Sequence, residues 1–263
     1  MSYDIYRSNA ENYQKNLEDY LNRLADLPFN VDKTMAEFHF ESFKDWSVFK
    51  TMKDVEDWYV DCVEGEQMKI STIPLSECRG WTYENGKIQH DTGEFFEVTG
   101  LRVSKSANRE VGISGWDQPV IKQVGFDGGI LGLVRKRFNG IPHYLVEAKA
   151  EPGNPNLVQI SPTLQATFSN IKKAHKGKKP NYVDFFEQPD KYHAIIHYKQ
   201  WLSEDGGRFY NKRNLNMLIE LPEKYVIALK NDNFIWMSMF QIKQCLSKDA
   251  WISPHIRGII SHI

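Results

Sequence analysis

The residues best equipped for chemistry lie close together in WLSEDGGRFYNKRN, residues 201–214. The carboxylates Glu204 and Asp205 precede the pair Gly206-Gly207, and the cations Arg208, Lys212 and Arg213 follow, with Phe209 and Tyr210 among them. Carboxylates move protons, guanidinium groups grip phosphate oxygens in pairs, and aromatic faces stack on rings. Apolar runs at 194–198 and 215–221 flank the stretch. Glycine takes positive φ without steric cost, so the two runs are expected to form a β-hairpin that carries this chemistry at its tip. A charged, solvated tip is the competing reading. Counting in twos back from Leu215, Met217, Ile219 and Leu221 puts Arg213, Asn211 and Phe209 on the core-facing side. A buried arginine needs a partner, either an internal carboxylate or a bound anion.

A second polar group lies in EPGNPNLVQISPTLQAT, residues 151–167. Prolines and a glycine stiffen a loop carrying Glu151, Asn154 and Asn156. Beyond it Gln159, Ser161, Thr163, Gln165 and Thr167 alternate with Val158, Ile160 and Leu164. Period-two spacing places the polar set on one face, a row of neutral hydrogen-bonders able to read sugar hydroxyls or a pyrimidine edge. An amphipathic edge strand is the other reading. His193 and His197 have a spacing that holds zinc on a helix, but they sit in a strand-like run without a third ligand, so they read as structural. The sequence holds no G-x-G-x-x-G, Walker loop or G-x-S-x-G elbow.

These residues need a scaffold. The chain has 263 residues, 41% hydrophobic and 25% charged, with a formal net charge of -1. That balance offers no basic footprint for nucleic acid or anionic membrane. No apolar run reaches spanning length. Three widely spaced cysteines, Cys62, Cys78 and Cys245, fit reduced thiols in a cytoplasmic protein rather than a disulfide framework. Residues 1–64 read as helical, with Ser8 and Glu11 as a capping box and Val55, Trp58, Tyr59 and Cys62 on one apolar side. The aromatics Phe38, Phe40, Phe43, Trp46 and Phe49 serve packing or a subunit interface.

Strand-like runs follow at 69–75, 95–103, 118–124, 130–138, 144–148 and 157–160. Asn85-Gly86 and Asn139-Gly140 are expected hairpin turns. The lysine-rich residues 172–179 read as a loop, and helices are expected at 182–186, 236–247 and 254–263. Helices, then strands, then helices indicate an α+β fold, with a boundary near 64–66.

Several linked stretches resemble the NDP-hexose 2,3-dehydratase family: IPLSECRGW, FFEVTGLRV, Trp116 with Gln118-Pro119, EPGNPNLVQISPTLQATFSN, SEDGGRFYNKRN and WMSMFQIK. The resemblance covers roughly residues 70–263. It implies a Nudix-like mixed β-sheet sandwiched by helices, with residues 1–64 as an N-terminal helical extension and 65–263 as the nucleotide-sugar domain. The Nudix metal box is missing, because Arg109-Glu110 is not followed by its glutamates. Typical family members carry two such units in tandem and this chain carries one, so a homodimer is expected, built through the N-terminal extension.

The implied substrate is a nucleoside-diphosphate 4-keto-6-deoxyhexose that loses its carbon-2 hydroxyl without metal or cofactor. The ketone at carbon 4 acidifies the carbon-3 proton, and the enolate formed by its removal expels the hydroxyl. In this reading Glu204 is the base and Glu151 the alternative, with Tyr210 as proton donor or enolate stabiliser. Arg208 and Arg213 clamp the diphosphate, and Asn214 and Gln118 add contacts. Asn154, Thr163 and Gln165 read sugar or base, and Trp116 stacks. Arg257 is a phosphate ligand or a helix salt bridge. A non-catalytic nucleotide-sugar-binding subunit and a Nudix-like hydrolase are the alternatives.

Overall fold

The computed structural model of the protein describes residues 3–105, 115–125, 128–171 and 178–263. The Ser8 side chain, the Arg109-Glu110 pair and residues 172–177 of the lysine-rich stretch lie outside the described residues. Helices α1 (Tyr3–Ala25), α2 (Lys33–Glu41) and α3 (Met52–Gly65) open the chain. Asp32 caps α2 by accepting from the Thr34 and Met35 amides, and Thr51 and Asp54 form a reciprocal capping box on α3. Such caps satisfy amides that no helical carbonyl can reach.

A four-stranded antiparallel sheet follows, made of β1 (Trp81–Glu84), β2 (Lys87–His90), β3 (Phe96–Val103) and β4 (Trp116–Gln123). Next come β5 (Gly129–Phe138), β6 (Ile141–Ala150), β7 (Val158–Pro162), β8 (Leu164–Thr167), α4 (Phe168–Ile171) and α5 (Val183–Glu187). The chain ends with β9 (Ile195–Ser203), β10 (Arg213–Leu221), β11 (Phe234–Met237), α6 (Met239–Cys245) and α7 (Pro254–Ile260). The seven strands from β5 to β11 form one mixed sheet in the order β11-β6-β5-β10-β9, with β7 on β6 and β8 on β5. Only β10 against β5 is parallel.

Both Asn-Gly pairs turn hairpins as expected. Asn85 and Gly86 have φ of 52° and 76°, and Asn139 and Gly140 have 51° and 79°, the double positive φ that a type I′ turn needs. Beyond its turn the β5–β6 hairpin opens into a fork. The two strands pair from Phe138↔Ile141 to Val134↔Leu145, then diverge, and β8 and β7 fill the gap. Thr163 sits at the apex. Its hydroxyl accepts from the Val134 amide at 2.9 Å and donates to the Leu145 carbonyl, supplying the bonds that the parting strands lose.

Helices cover both faces. On one, Leu131, Leu133, Val146 and Leu218 meet Val55 and Tyr59 of α3 together with α6 and α7; on the other, Ile130, Val134, Leu145 and Ile219 meet α5. The α+β class and the helix-covered mixed sheet therefore match expectation. The interval 1–64 shares this core: the Tyr59 hydroxyl donates to the Val158 carbonyl at 2.9 Å, and the Trp58 indole to Asp232 at 2.8 Å. Phe38, Phe40 and Trp46 are buried within the chain, while Phe43 stays exposed.

Two expected elements differ. Residues 69–75 form no strand, and Ile70, Ile73 and Leu75 project into solvent, since no strand among the described residues pairs with them. Residues 234–237 form β11 rather than the start of a helix, since β6 offers an open edge. The helix begins only where Ser238 and Gln241 make a capping box.

At the hairpin end of the sheet lies a buried ion cluster. Arg135, 1% exposed, contacts Glu41 at 2.5 Å and also Glu220. Arg137 grips Glu37 with two nitrogens at 2.7 Å each and reaches Glu220 at 2.9 Å. His197 adds a 2.7 Å contact to Glu220 from strand β9.

Candidate functional site

The other end of the fork holds the polar residues singled out by the sequence. Strands β9 and β10 form the expected hairpin, but Gly206 and Gly207 do not supply the positive φ; Asn211 does, at 52°. The connection spans residues 204–212 and is too long for a tight glycine turn. Its first half curls on Asp205, whose carbonyl accepts from the Arg208 and Phe209 amides at 3.0 and 2.9 Å. Its second half docks on the four-stranded sheet: Ile121 donates to Arg208 at 2.8 Å and accepts from Tyr210 at 2.9 Å. Arg208, Phe209 and Tyr210 thus belong to a bridge between the two sheets rather than to the returning strand.

Beside this loop is a cavity of 370 Å³ whose polar walls include Glu204, Asn214, Lys149, Glu151, Gln165 and His255. A volume of a few hundred Å³ suits a small polar ligand. The groups are held by one another. The Asn214 amide donates to Glu204, Gln165 donates to Glu151 at 3.3 Å, and Lys149 lies 3.3 Å from Glu151 and 3.1 Å from the Gln165 carbonyl. His255 comes from the first turn of α7. Burial holds its imidazole below the ordinary pKa; the carboxylates of Glu204 and Glu151 push upward, while Lys149 and Lys212 push down. Farther along β6, Glu147 is pushed up to about 7, chiefly by burial.

Two further cavities adjoin. One of 510 Å³ shares Glu151, Gln165 and His255 and adds Asn154, Gln159, Ser161 and Arg257. The other, of 520 Å³, is walled by Lys122, Lys212, Arg213, Tyr210 and Gln123, and adjoins the first at Lys212, common to both walls. Its floor depends on Gly128, whose φ is 77° and where a Cβ would stand 2.1 Å from the Arg213 carbonyl. Among the described residues no group of three or more His, Cys, Asp or Glu side chains is placed to hold a metal ion.

Of the expected site residues, Glu204, Glu151, Asn214 and Gln165 meet at one cavity. Asn154 and Arg257 line the second, and Tyr210 and Arg213 the third. Expectations for five residues need correction. Thr163 does not read a ligand, because it is 1% exposed and its hydroxyl is committed to the fork. Arg213 is not buried with the core; β10 pairs with β5 only from Leu215, so Arg213 lies past the covered sheet, 4.8 Å over the Trp201 ring. Arg208 points outward with its side chain 78% exposed, 3.9 Å from Asp205. Trp116 and Gln118 line none of these cavities. They brace the loop instead, Trp116 donating to Gln118 at 2.6 Å and Gln118 to the Gly207 carbonyl at 2.8 Å.

The sequence reading missed His255, Lys149 and Lys122 as part of the site. Lys149 was legible, two residues before Glu151 on a strand and so on its face. His255 carries no such local mark.

Comparison with known proteins bears on this geometry. A model of the NDP-hexose 2,3-dehydratase family matches residues 52–263, beginning at α3. Three curated relatives are each a dTDP-4-dehydro-6-deoxy-alpha-D-glucopyranose 2,3-dehydratase. The one from Amycolatopsis orientalis is 35% identical over 213 residues, 80% of this chain and 44% of the relative. The one from Streptomyces violaceoruber is 33% identical over 206 residues, and that from Saccharopolyspora spinosa 34% over 208, each 78% of this chain. The chain thus spans less than half the length of the relatives it matches. A solved structure of C. elegans Ap4A hydrolase overlaps 52% of this chain and 95% of its own at 11% identity, with a TM-score of 0.29 that carries no argument.

Proposed function

The chain belongs to the NDP-hexose 2,3-dehydratase family, and from that premise we propose that it removes the carbon-2 hydroxyl of a dTDP-linked 4-keto-6-deoxyhexose without a metal. One observation carries the reading: Glu204, Glu151 and His255 converge on a cavity of sugar-binding size that adjoins a cation-walled one. The sugar lies in the first and the diphosphate against Lys122, Lys212 and Arg213 in the second. Lys122 also meets Glu97 at 3.3 Å, so it contributes a partly compensated charge. Phe95, Phe96 and Phe209 wall a recess of 220 Å³ beyond Lys212, which suits a pyrimidine.

Glu204 takes the carbon-3 proton. Its carboxylate is aimed into the cavity by the Asn214 amide, the kind of second contact that fixes a general base in register. Gln165 and Asn154 contact sugar hydroxyls. We also propose a cytoplasmic homodimer, supported by the free cysteines and by exposed Phe43, Ile70, Ile73 and Leu75.

The test incubates the protein with dTDP-4-keto-6-deoxyglucose, with and without Mg²⁺. Metal-independent loss of water is expected; released nucleoside monophosphate makes it a hydrolase, and binding without turnover makes it a subunit. Glu204→Gln should keep the melting temperature and dTDP affinity while turnover falls at least about 10²-fold. Near-normal turnover in that variant moves the base to Glu151. Light scattering that returns a monomer with full activity removes the dimer.

A further inference from the structure

We propose that His255 is the general acid that protonates the hydroxyl leaving carbon 2, an assignment that rests on the dehydratase reading above. His255 stands on the wall common to the Glu204 cavity and its 510 Å³ neighbour. The charged groups acting on it come from two elements: Glu204 and Lys212 on the loop after β9, and Lys149 and Glu151 at the end of β6. On its own helix, Arg257 shares the second cavity.

Elimination needs one group at carbon 3 and another at the carbon-2 oxygen, because hydroxide leaves poorly without a proton. The other donors of this cavity are engaged. Lys149 is held between Glu151 at 3.3 Å and the Gln165 carbonyl at 3.1 Å, and Lys212 donates to Gln123. Tyr210 lines the cation-walled cavity instead. Imidazole also titrates nearer neutrality than any lysine, so it can give and regain a proton within one turnover. The two carboxylates in reach stabilise the charged ring before it donates.

The proton ledger closes. Glu204 takes the proton from carbon 3, and the C–H electron pair becomes the carbon-3–carbon-4 enolate. The enolate restores the carbon-4 ketone, a double bond forms between carbons 2 and 3, and the carbon-2–oxygen bond breaks as His255 delivers its proton, releasing water. The enol then passes its O–H proton to the neutral imidazole while Glu204 returns its proton to carbon 2. Both side chains are reset and the product is the 3,4-diketo-2,6-dideoxy sugar.

This separates the two half-reactions experimentally. Wild type and His255→Gln are given dTDP-4-keto-6-deoxyglucose in D₂O, and carbon-3 deuteration and water loss are followed together by NMR. The variant is expected to bind dTDP normally and to deuterate carbon 3 within about tenfold of the wild-type rate of proton removal, while elimination falls at least about 10²-fold. Wild-type elimination should fall as pH rises through a point below the ordinary imidazole range, because burial lowers the pKa of His255 and the charged ring is lost there, and the residual activity of the variant should lack that limb. His255→Asn is read in the same way if the glutamine variant melts early. Elimination at near-wild-type rate in either folded variant overturns the assignment. So does joint loss of deuteration and elimination, which puts His255 at carbon 3 or in the scaffold. Wild-type protein that binds dTDP but neither deuterates nor eliminates overturns the dehydratase reading itself.

Discussion

The two ends of the seven-stranded sheet carry the same kinds of side chain and use them in opposite ways. At the hairpin end, Arg135 and Glu220 face each other across the parallel β5–β10 pair, with Glu41, Glu37 and Arg137 closing around them. At the fork end, Glu204, Glu151, Lys149 and His255 surround open space. Burial raises the pKa of Glu220, but His197, Arg135 and Arg137 outweigh it and hold the carboxyl at about 2. Dense ion pairing makes the first cluster a rivet, and looser pairing around a cavity leaves the second free to act on a ligand. The largest expected effect breaks the rivet. Arg135→Met should strand Glu41, while Glu220 keeps Arg137 and His197, and cost about 3–5 kcal/mol of stability, read as a shift in urea midpoint. An unchanged midpoint would mean that water already reaches those acids.

A buried histidine sharpens the contrast. His143 is fully buried near the rivet, accepts from the Val48 amide at 3.1 Å and contacts the Ile141 carbonyl at 3.0 Å. Burial pushes its pKa down to about 4, with Lys136 and Arg135 adding to the shift and the Ile141 contact opposing it. A depressed folded pKa means that its stabilisation is complete above the unfolded value of about 6.5 and is lost as pH falls toward 4. The size is about 3 kcal/mol. Urea midpoints should therefore drop between pH 6.5 and 4, and His143→Gln should flatten the drop. A wild-type curve without slope in that window would put the proton on His143 in the folded state.

What the sequence revealed divides along the same line. The Asn-Gly turns and the β9–β10 hairpin were legible because each is decided by neighbours in the chain. The fork was not. Alternation from Gln159 to Thr167 marks one polar face only if the strand stays in one pairing, and here it changes from β6 to β5 at Thr163. The residue at the changeover faces the gap rather than the row. Glu204 and Glu151 were found because each lies in a dense polar motif. His255 was missed because it arrives from the last helix, where nothing in its local spacing points to a loop elsewhere in the chain. Arg213 was misjudged for a related reason: a period-two count does not show where the covering strand ends.

The smallest expected effects concern the outer arginines, which a purely sequence-based reading treats alike. Arg213 lies over Trp201 at 4.8 Å and lines the cation-walled cavity, so its position is fixed by a ring before any ligand arrives. An arginine held by stacking loses less side-chain freedom on gripping a phosphate. Among the described residues Arg208 has no such support; it lies 3.9 Å from Asp205, and its side chain stands in solvent. Calorimetry with dTDP should show Arg213→Ala weaker by about 10- to 100-fold, the scale of a charge-assisted contact. Arg208→Ala should change affinity by less than about threefold, as expected of an exposed charge. Equal losses at the two positions would mean that the loop between β9 and β10 closes over the diphosphate and brings Arg208 inward. That outcome would move the open end of the comparison from a preformed cavity to one completed by its ligand.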